Sequence, residues 1–277
     1  MSSVSQWFAD NQSNWNDRAA QHEAAGYGIA ELVANPDAVS SELAPDLPRF
    51  GSLTGRDVLH LQCHLGTDTV GFARRGARRV VGLDLSDESL RRAEQITRAC
   101  GVQVEYVQAN VYDAREAVRG QFDLVYTSLG VLCWLPDVDR WAQVVASLLR
   151  PGGQFFIRDD HPMYMTVGED VSQGLKIELP YFQREQPCTW ESEYSYMPVP
   201  EGTPPLTHRR NHQWNHSLSE IVTALIRAGL VIDVLEESTW SHWCPWPELM
   251  VREADGRWRL RDNPDRLPLE FVIEAHR

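Results

Sequence analysis

The 277-residue sequence has no run approaching the roughly 20 apolar residues of a membrane-spanning helix. Its first residues, MSSVSQWFADNQSNWNDR, lack the cationic start and apolar segment of a secretory signal, so no export is expected. The five cysteines, Cys63, Cys100, Cys133, Cys188 and Cys244, are odd in number and widely spaced, with no C-x-x-C pair. They read as reduced thiols of a cytoplasmic protein, not as a disulfide framework. Positive charge is scarce: 26 Lys and Arg stand against 39 Asp and Glu, a formal net charge of -13. Such a surface repels nucleic acid and anionic membrane, and neither is expected as a partner. Internal repeats and low-complexity tracts are also missing. What is abundant is apolar surface, 43 % of residues, enough for a packed core, and tryptophan, ten in all, six of them from Trp190 to Trp258.

From about residue 53 short apolar strands alternate with amphipathic helices, the rhythm of an α/β protein with a mostly parallel sheet. The strands are DVLHLQ, RRVVGLDL, VQVEYVQA, FDLVYTSLG, QFFIRDD, LVIDVLEE and LPLEFVIEAH, seven in all. Between them, TDTVGFARR forms a short helix ended by Gly76, and Ser86 caps DESLRRAEQITRAC, whose Leu90, Ala93, Ile96, Thr97 and Cys100 share a face. DRWAQVVASLLR places Trp141, Val144, Val145, Leu148 and Leu149 on one side, and PGG is expected to break it. Ser217 and Glu220 have capping-box spacing at the start of the last helix, SLSEIVTALIRAG. The expectation is a doubly wound single domain: a helical cover at 1–52, a ligand-binding half at 53–160, an inserted lid or flap at 161–212 after the fifth strand, and a helix and strands at 213–277 that complete the sheet. Residues 161–212 carry prolines and aromatics but no long helix, too much chain for a simple connection.

The stretch LHLQCHLGTDT, residues 59–69, leaves the first strand where ligands bind in open parallel sheets. Of the glycines that such turns usually carry, only Gly66 is present. Eighteen residues later Asp84 ends the second strand, where a carboxylate can accept hydrogen bonds from both hydroxyls of a ribose, with Gly82 keeping the neighbourhood uncrowded. A nicotinamide dinucleotide would require G-x-G-x-x-G so that backbone reaches its pyrophosphate, and that turn is missing.

The loop joined to VVGLDLS, YVQANVYDA, FDLVYTSLGVLCWLPD and LLRPGGQFFI resembles the class I S-adenosylmethionine-dependent methyltransferases over about residues 53–160 and 213–277. The resemblance implies their Rossmann-like fold, S-adenosylmethionine as cofactor, and methyl transfer to a small-molecule acceptor. Where the family has an acidic residue and then Gly-x-Gly-x-Gly, this chain has His60, Gln62, His64 and Gly66, and Asn110 stands for the usual adenine-binding aspartate. Asn110 retains a carbonyl for the adenine amino group, and Val111 can offer its N–H. Carried over position by position, the cofactor set is Gln62, Cys63, His64, Gly66, Asp84, Leu85, Asn110, Val111 and Ser128. Trp15 and Arg18 are expected to close over it, the arginine near the methionine carboxylate. His60 is read as a structural residue.

Methyl transfer needs positioning, exclusion of water and, for some acceptors, a base. His161, beside Asp159 and Asp160 after the fifth strand, is the candidate base; a turn histidine before Pro162 is the alternative. Trp134, His208 and Trp214 are the candidate acceptor contacts. The spacing of His208, His212 and His216 invites a metal, but no acidic or cysteine ligand stands at a diagnostic distance, and no metal is expected. Trp190, Trp240, Trp243, Trp246, Tyr194 and Tyr196 line an acceptor pocket, a dimer surface or ordinary core. A monomer or homodimer is expected. A non-catalytic S-adenosylmethionine sensor or partner protein and an NAD-dependent oxidoreductase are the competing readings.

Overall fold

A computed structural model describes residues 3–168 and 170–277. Its strands are β1 (Asp57–Leu61), β2 (Arg79–Asp84), β3 (Glu105–Gln108), β4 (Phe122–Thr127), β5 (Leu149–Asp160), β6 (Cys188–Glu191), β7 (Arg210–Gln213), β8 (Val231–Ser238), β9 (Trp240–Ser241), β10 (Met250–Arg252), β11 (Trp258–Leu260) and β12 (Glu270–His276). The α-helices are α1 (Ser3–Ala24), α2 (Ile29–Ala34), α3 (Leu47–Phe50), α4 (Thr67–Arg74), α5 (Asp87–Ala99), α6 (Ala114–Ala117), α7 (Val138–Leu148) and α8 (Leu218–Arg227).

Seven strands form the central sheet in the order β3-β2-β1-β4-β5-β12-β8. β3 to β5 run parallel through β1, and β12 runs antiparallel to both β5 and β8. The order reverses beside β1, so the crevice at the carboxyl ends of β1 and β4 is the position for a ligand. Alternation along the strands builds a core on each face. Leu59, Leu61, Val81, Leu83 and Val125 pack with Trp141, Val145 and Leu148 of α7 and Ile221 and Leu225 of α8. Val58, Val80, Leu124, Tyr126 and Phe156 face the other way and meet Phe72 of α4 with Leu43 and Phe50 from the amino-terminal segment.

Caps fix the helix starts. The side chains of Ser86 and Asp137 accept the N–H groups of Ser89 and Arg140, and Ser217 and Glu220 form the full capping box. One boundary differs from the sequence expectation: α7 ends at Leu148, and the PGG segment is already part of β5. The carboxyl terminus holds it there, with Gly152 N–H donating to Arg277 O and Arg277 N–H to Gly153 O.

The irregular regions have their own architecture. Within 161–212, β6 pairs antiparallel with β7. A second insertion, unforeseen in the sequence, lies between β8 and β12 as a three-stranded sheet, β10-β11-β9. Its strands of two and three residues are too short to show a period. Tyr164 and Val171 of the first insertion pack with Trp246, Met250 and Leu260 of the second, so the two form one satellite core.

α1 has an inverted burial pattern: Asn11, Asn14, Arg18, Gln21 and His22 are buried. Their amides bond to lid backbone. Asn11 exchanges two hydrogen bonds with His212, Asn14 donates to His208 O, and Gln21 pairs with Pro204 O and Ser195 N. On its other side, α1 meets α5 through Asn16, which contacts Ser86 and Asp87. The helix therefore bridges the cofactor half and the lid.

Candidate active site

Between β1 and α4 the chain turns through three left-handed residues, Gln62 (φ 56), His64 (φ 48) and Gly66 (φ 68). These are the three positions at which the resemblance to the methyltransferases implies glycines. The left-handed region costs a non-glycine residue about 1–2 kcal/mol, so local contacts must hold the first two. Gln62 Nε2 donates to Val131 O at 3.1 Å. The His64 N–H donates to Asp84 Oδ2 at 2.8 Å, and its ring is bonded through Nδ1 to Ser89 Oγ at 3.0 Å and through Nε2 to His22 Nδ1 at 2.8 Å. At Gly66 a Cβ would collide with the Tyr106 hydroxyl, so this position admits no side chain without rearrangement. The backbone of the glycine motif is thus preserved by hydrogen bonds where glycine is missing.

Asp84 accepts from Ser86 N through Oδ1 and from His64 N through Oδ2, which leaves each oxygen an acceptor site. Burial raises its carboxyl to about 6, against the opposing effect of these hydrogen bonds. Gly82 makes room for protein, not ligand: a Cβ there would lie 2.7 Å from the Tyr106 ring and 2.9 Å from Cys63 Sγ. The expected role of Cys63 requires correction for the same reason. Its thiol packs behind the loop and its N–H donates to Leu83 O, so it offers a ligand no donor. Leu85 O receives Gln12 of α1. Asn110 Oδ1 caps the following turn by accepting Tyr112 N at 3.1 Å, which leaves one lone pair for an adenine amino group; Val111 is buried beside it. Ser128 is buried just beyond β4.

Over the loop lies an aromatic and cationic cover from α1. The Trp15 ring is edge-on to His64 at 5.1 Å and to Trp134 at 5.2 Å. Arg18, 5 % exposed, lies over both indoles at 5.6 and 5.9 Å. Its polar contacts are Asn14 Oδ1 and Ser195 Oγ, and among the described residues no carboxylate lies within 4.0 Å of it. Burial lowers its affinity for its proton. A guanidinium withdrawn from water without a counter-ion is a strong demand for an anion. His22 completes the cover, flanked by Tyr27 at 5.4 Å and Tyr196 at 5.0 Å. His22 was not singled out in the sequence, although Trp15, Arg18 and His22 fall on one face at helical spacing.

At the end of β5 two adjacent carboxylates have opposite surroundings. Asp159 accepts from Gly130, Val131, Leu132 and Asp160 N–H groups and so fixes the loop after β4. Among the described residues Asp160 receives only the Trp243 indole N–H, at 3.3 Å, and it borders a narrow pocket with Gly130, Cys133, Met165 and Trp214. Burial, then the nearby Asp159 and Glu270 charges, raise its carboxyl well above the ordinary range.

His161 does not have the expected partners. Met163 N–H donates to Nδ1 at 3.0 Å and Nε2 meets Glu237 Oε1 of β8 at 2.7 Å, so both nitrogens are committed and the partner carboxylate is neither Asp159 nor Asp160. His208 is likewise corrected: it is a surface residue, 57 % exposed, paired with Asp17 of α1. His212 bonds to Thr189 and Asp10, and His216 to Leu135 O and Gln183, so these three histidines face different elements. Trp214 is buried against Trp7 and ties its backbone to Cys133, which puts it at the back of the pocket. Trp134 donates Nε1–H to Gly130 O and faces the cover. His60 is a core residue, bonded through Nδ1 to Thr69 and edge-on to Tyr126; burial lowers its pKa to about 3.

The strand order and the crevice at the carboxyl ends of β1 and β4 define a doubly wound, Rossmann-like α/β fold. Comparison with known proteins agrees. Residues 58–153 match the methyltransferase domain family. The ubiquinone biosynthesis O-methyltransferase of Escherichia coli O7:K1 is 38 % identical over 108 residues, 39 % of this chain and 44 % of that protein, so the likeness spans less than half of this curated relative. Among solved structures, the S-adenosylmethionine-dependent methyltransferase of Mesorhizobium loti superposes with a TM-score of 0.55 at 23 % identity, covering 85 % of this chain and 97 % of the other. That of Clostridium acetobutylicum ATCC 824 gives 0.55 at 14 % identity, over 84 % and 88 %. The fold is therefore that of the S-adenosylmethionine-dependent methyltransferases that superpose on it, and residues 58–153 match a methyltransferase domain.

Proposed function

We propose that the protein transfers a methyl group from S-adenosylmethionine to a small molecule held under the lid. The observation that carries this reading is the pair of unmet demands on either side of the 62–66 loop. The Asp84 carboxylate keeps free acceptor sites at the end of β2, and Arg18 is a buried cation without a counter-ion among the described residues. Between them Gln62 Oε1 is buried with no donor. These groups fit a ribose, a carboxylate and an ammonium respectively, the polar ends of one cofactor. The loop lacks the G-x-G-x-x-G turn that lets backbone approach a pyrophosphate closely.

S-Adenosylmethionine, when bound, supplies a methyl group already activated on a sulfonium. The chain's own contribution is to bind, orient and exclude water. Trp15, Trp134 and Tyr196 wall the site, and α1 with the lid closes it. Asp160 is the residue placed to take a proton from the acceptor, because burial and like charges raise its basicity and Trp243 alone competes for it. The five free thiols and acidic surface fit a cytoplasmic enzyme acting on a small metabolite.

Calorimetry with S-adenosylmethionine, S-adenosylhomocysteine and NAD tests the reading: the first two are expected to bind and NAD is not. Binding of NAD alone would overturn it. Transfer of a labelled methyl group to a metabolite extract is the second measurement. Binding without any labelled product would favour a sensor.

A further inference from the structure

We propose that His22 of α1 is a positioning residue for the cofactor loop: through the His64 ring it holds the His64 backbone, and hence Asp84, in the geometry that receives the ribose. This rests on the methyltransferase reading. His64 occupies a glycine position in a conformation that side-chain-bearing residues rarely adopt. Its ring is held at both ends, Nε2 by His22 and Nδ1 by Ser89, while its N–H points at Asp84 Oδ2. His22 is in turn bonded through Nε2 to Ser195 Oγ of the lid. The series Ser195, His22, His64, Ser89 therefore runs from the lid, through α1, across the loop to α5. Each member can both donate and accept, so the series is satisfied with both imidazoles neutral.

Burial, each ring's neighbour and the Arg18 charge all oppose protonation of His22, and burial and Arg18 do the same at His64. The other titratable groups facing the pair are Tyr27, stacked on His22 and edge-on to His64, and Tyr196 of the lid. The family's usual glycine needs no such brace, since it adopts this backbone unaided. In this chain the brace replaces the glycine, and it makes the ribose carboxylate responsive to the presence of α1 and the lid.

A double-mutant cycle read by calorimetric binding of S-adenosylhomocysteine to the full chain tests this. His22→Leu is expected to weaken binding roughly 5- to 100-fold, the range for a buried partner left unpaired. In a His64→Gly background the same substitution is expected to change affinity by less than about twofold, because the loop then needs no brace. His22→Asn, which keeps a polar atom near the Nδ1 position, is expected to recover most of the loss. Equal losses in both backgrounds, as simple misplacement of α1 would give, would overturn the proposal, as would unchanged affinity in His22→Leu. Failure of the unaltered chain to bind S-adenosylhomocysteine would instead overturn the methyltransferase reading, and this inference with it.

Discussion

The backbone N–H of His64 lies 2.8 Å from Oδ2 of Asp84, so a loop residue in a glycine position and the strand-end carboxylate form one unit. Each oxygen of Asp84 is already half used, and a ribose would complete it. Asp84→Ala is therefore expected to weaken S-adenosylhomocysteine binding by more than roughly tenfold, from loss of hydrogen bonds to a charged acceptor worth about 1.5–3 kcal/mol each. The carboxyl sits at about 6, raised by burial, and the ionised form is the better acceptor. Affinity should hold above pH 7 and fall as the pH drops through about 6. Titration calorimetry across this range checks both statements, and pH-independent affinity would remove Asp84 from the ribose site.

Among the described residues no carboxylate lies within 4.0 Å of Arg18. Arg18→Met is expected to lower affinity for S-adenosylhomocysteine by roughly tenfold or more, the contribution of a hydrogen bond to a charged group. 5′-Methylthioadenosine, which lacks the amino-acid end, should bind both proteins alike. Equal weakening of the two ligands would show that Arg18 only packs between the indoles.

The adjacent residues Asp160 and His161 separate a chemical role from a structural one. Asp160→Asn is expected to abolish most labelled methyl transfer, by roughly 100-fold or more as for loss of a general base, while leaving S-adenosylhomocysteine affinity within twofold. His161→Gln should lower the melting temperature, since Glu237 and Met163 lose their partner, and spare turnover. The reverse pattern would restore His161 as the base.

Away from the site, Arg158 of β5 is buried with Asp46, from the amino-terminal segment, and with Glu270 of β12 at 3.7 Å. Removing the arginine leaves two buried carboxylates without the cation they share. Arg158→Met is therefore expected to destabilise the protein by about 3–5 kcal/mol. Urea denaturation measures this directly, and a loss below about 1 kcal/mol would mean that the carboxylates take up protons instead.

The sequence by itself determined the seven strands, their helices and the crevice, because these follow from short-range physics: periods of 2 and 3.6, caps such as Ser86 and Ser217, and glycines after helices. Asp84 was legible as a strand-end carboxylate because the end of β2 follows from its apolar run. The satellite sheet at β9 to β11 was not legible, since two-residue strands carry no period and are held by contacts with Tyr164 and Val171 from far along the chain. Nor was the fate of the histidines. An imidazole's role depends on which groups occupy its two nitrogens, and for His161 and His64 the partner at Nε2 is 76 and 42 residues away. The missing glycines are the sharpest case. Sequence alone reads Gln62 and His64 as departures from a pattern, whereas the tertiary structure keeps the left-handed backbone, because Val131, His22, Ser89 and Asp84 converge on it from four separate segments.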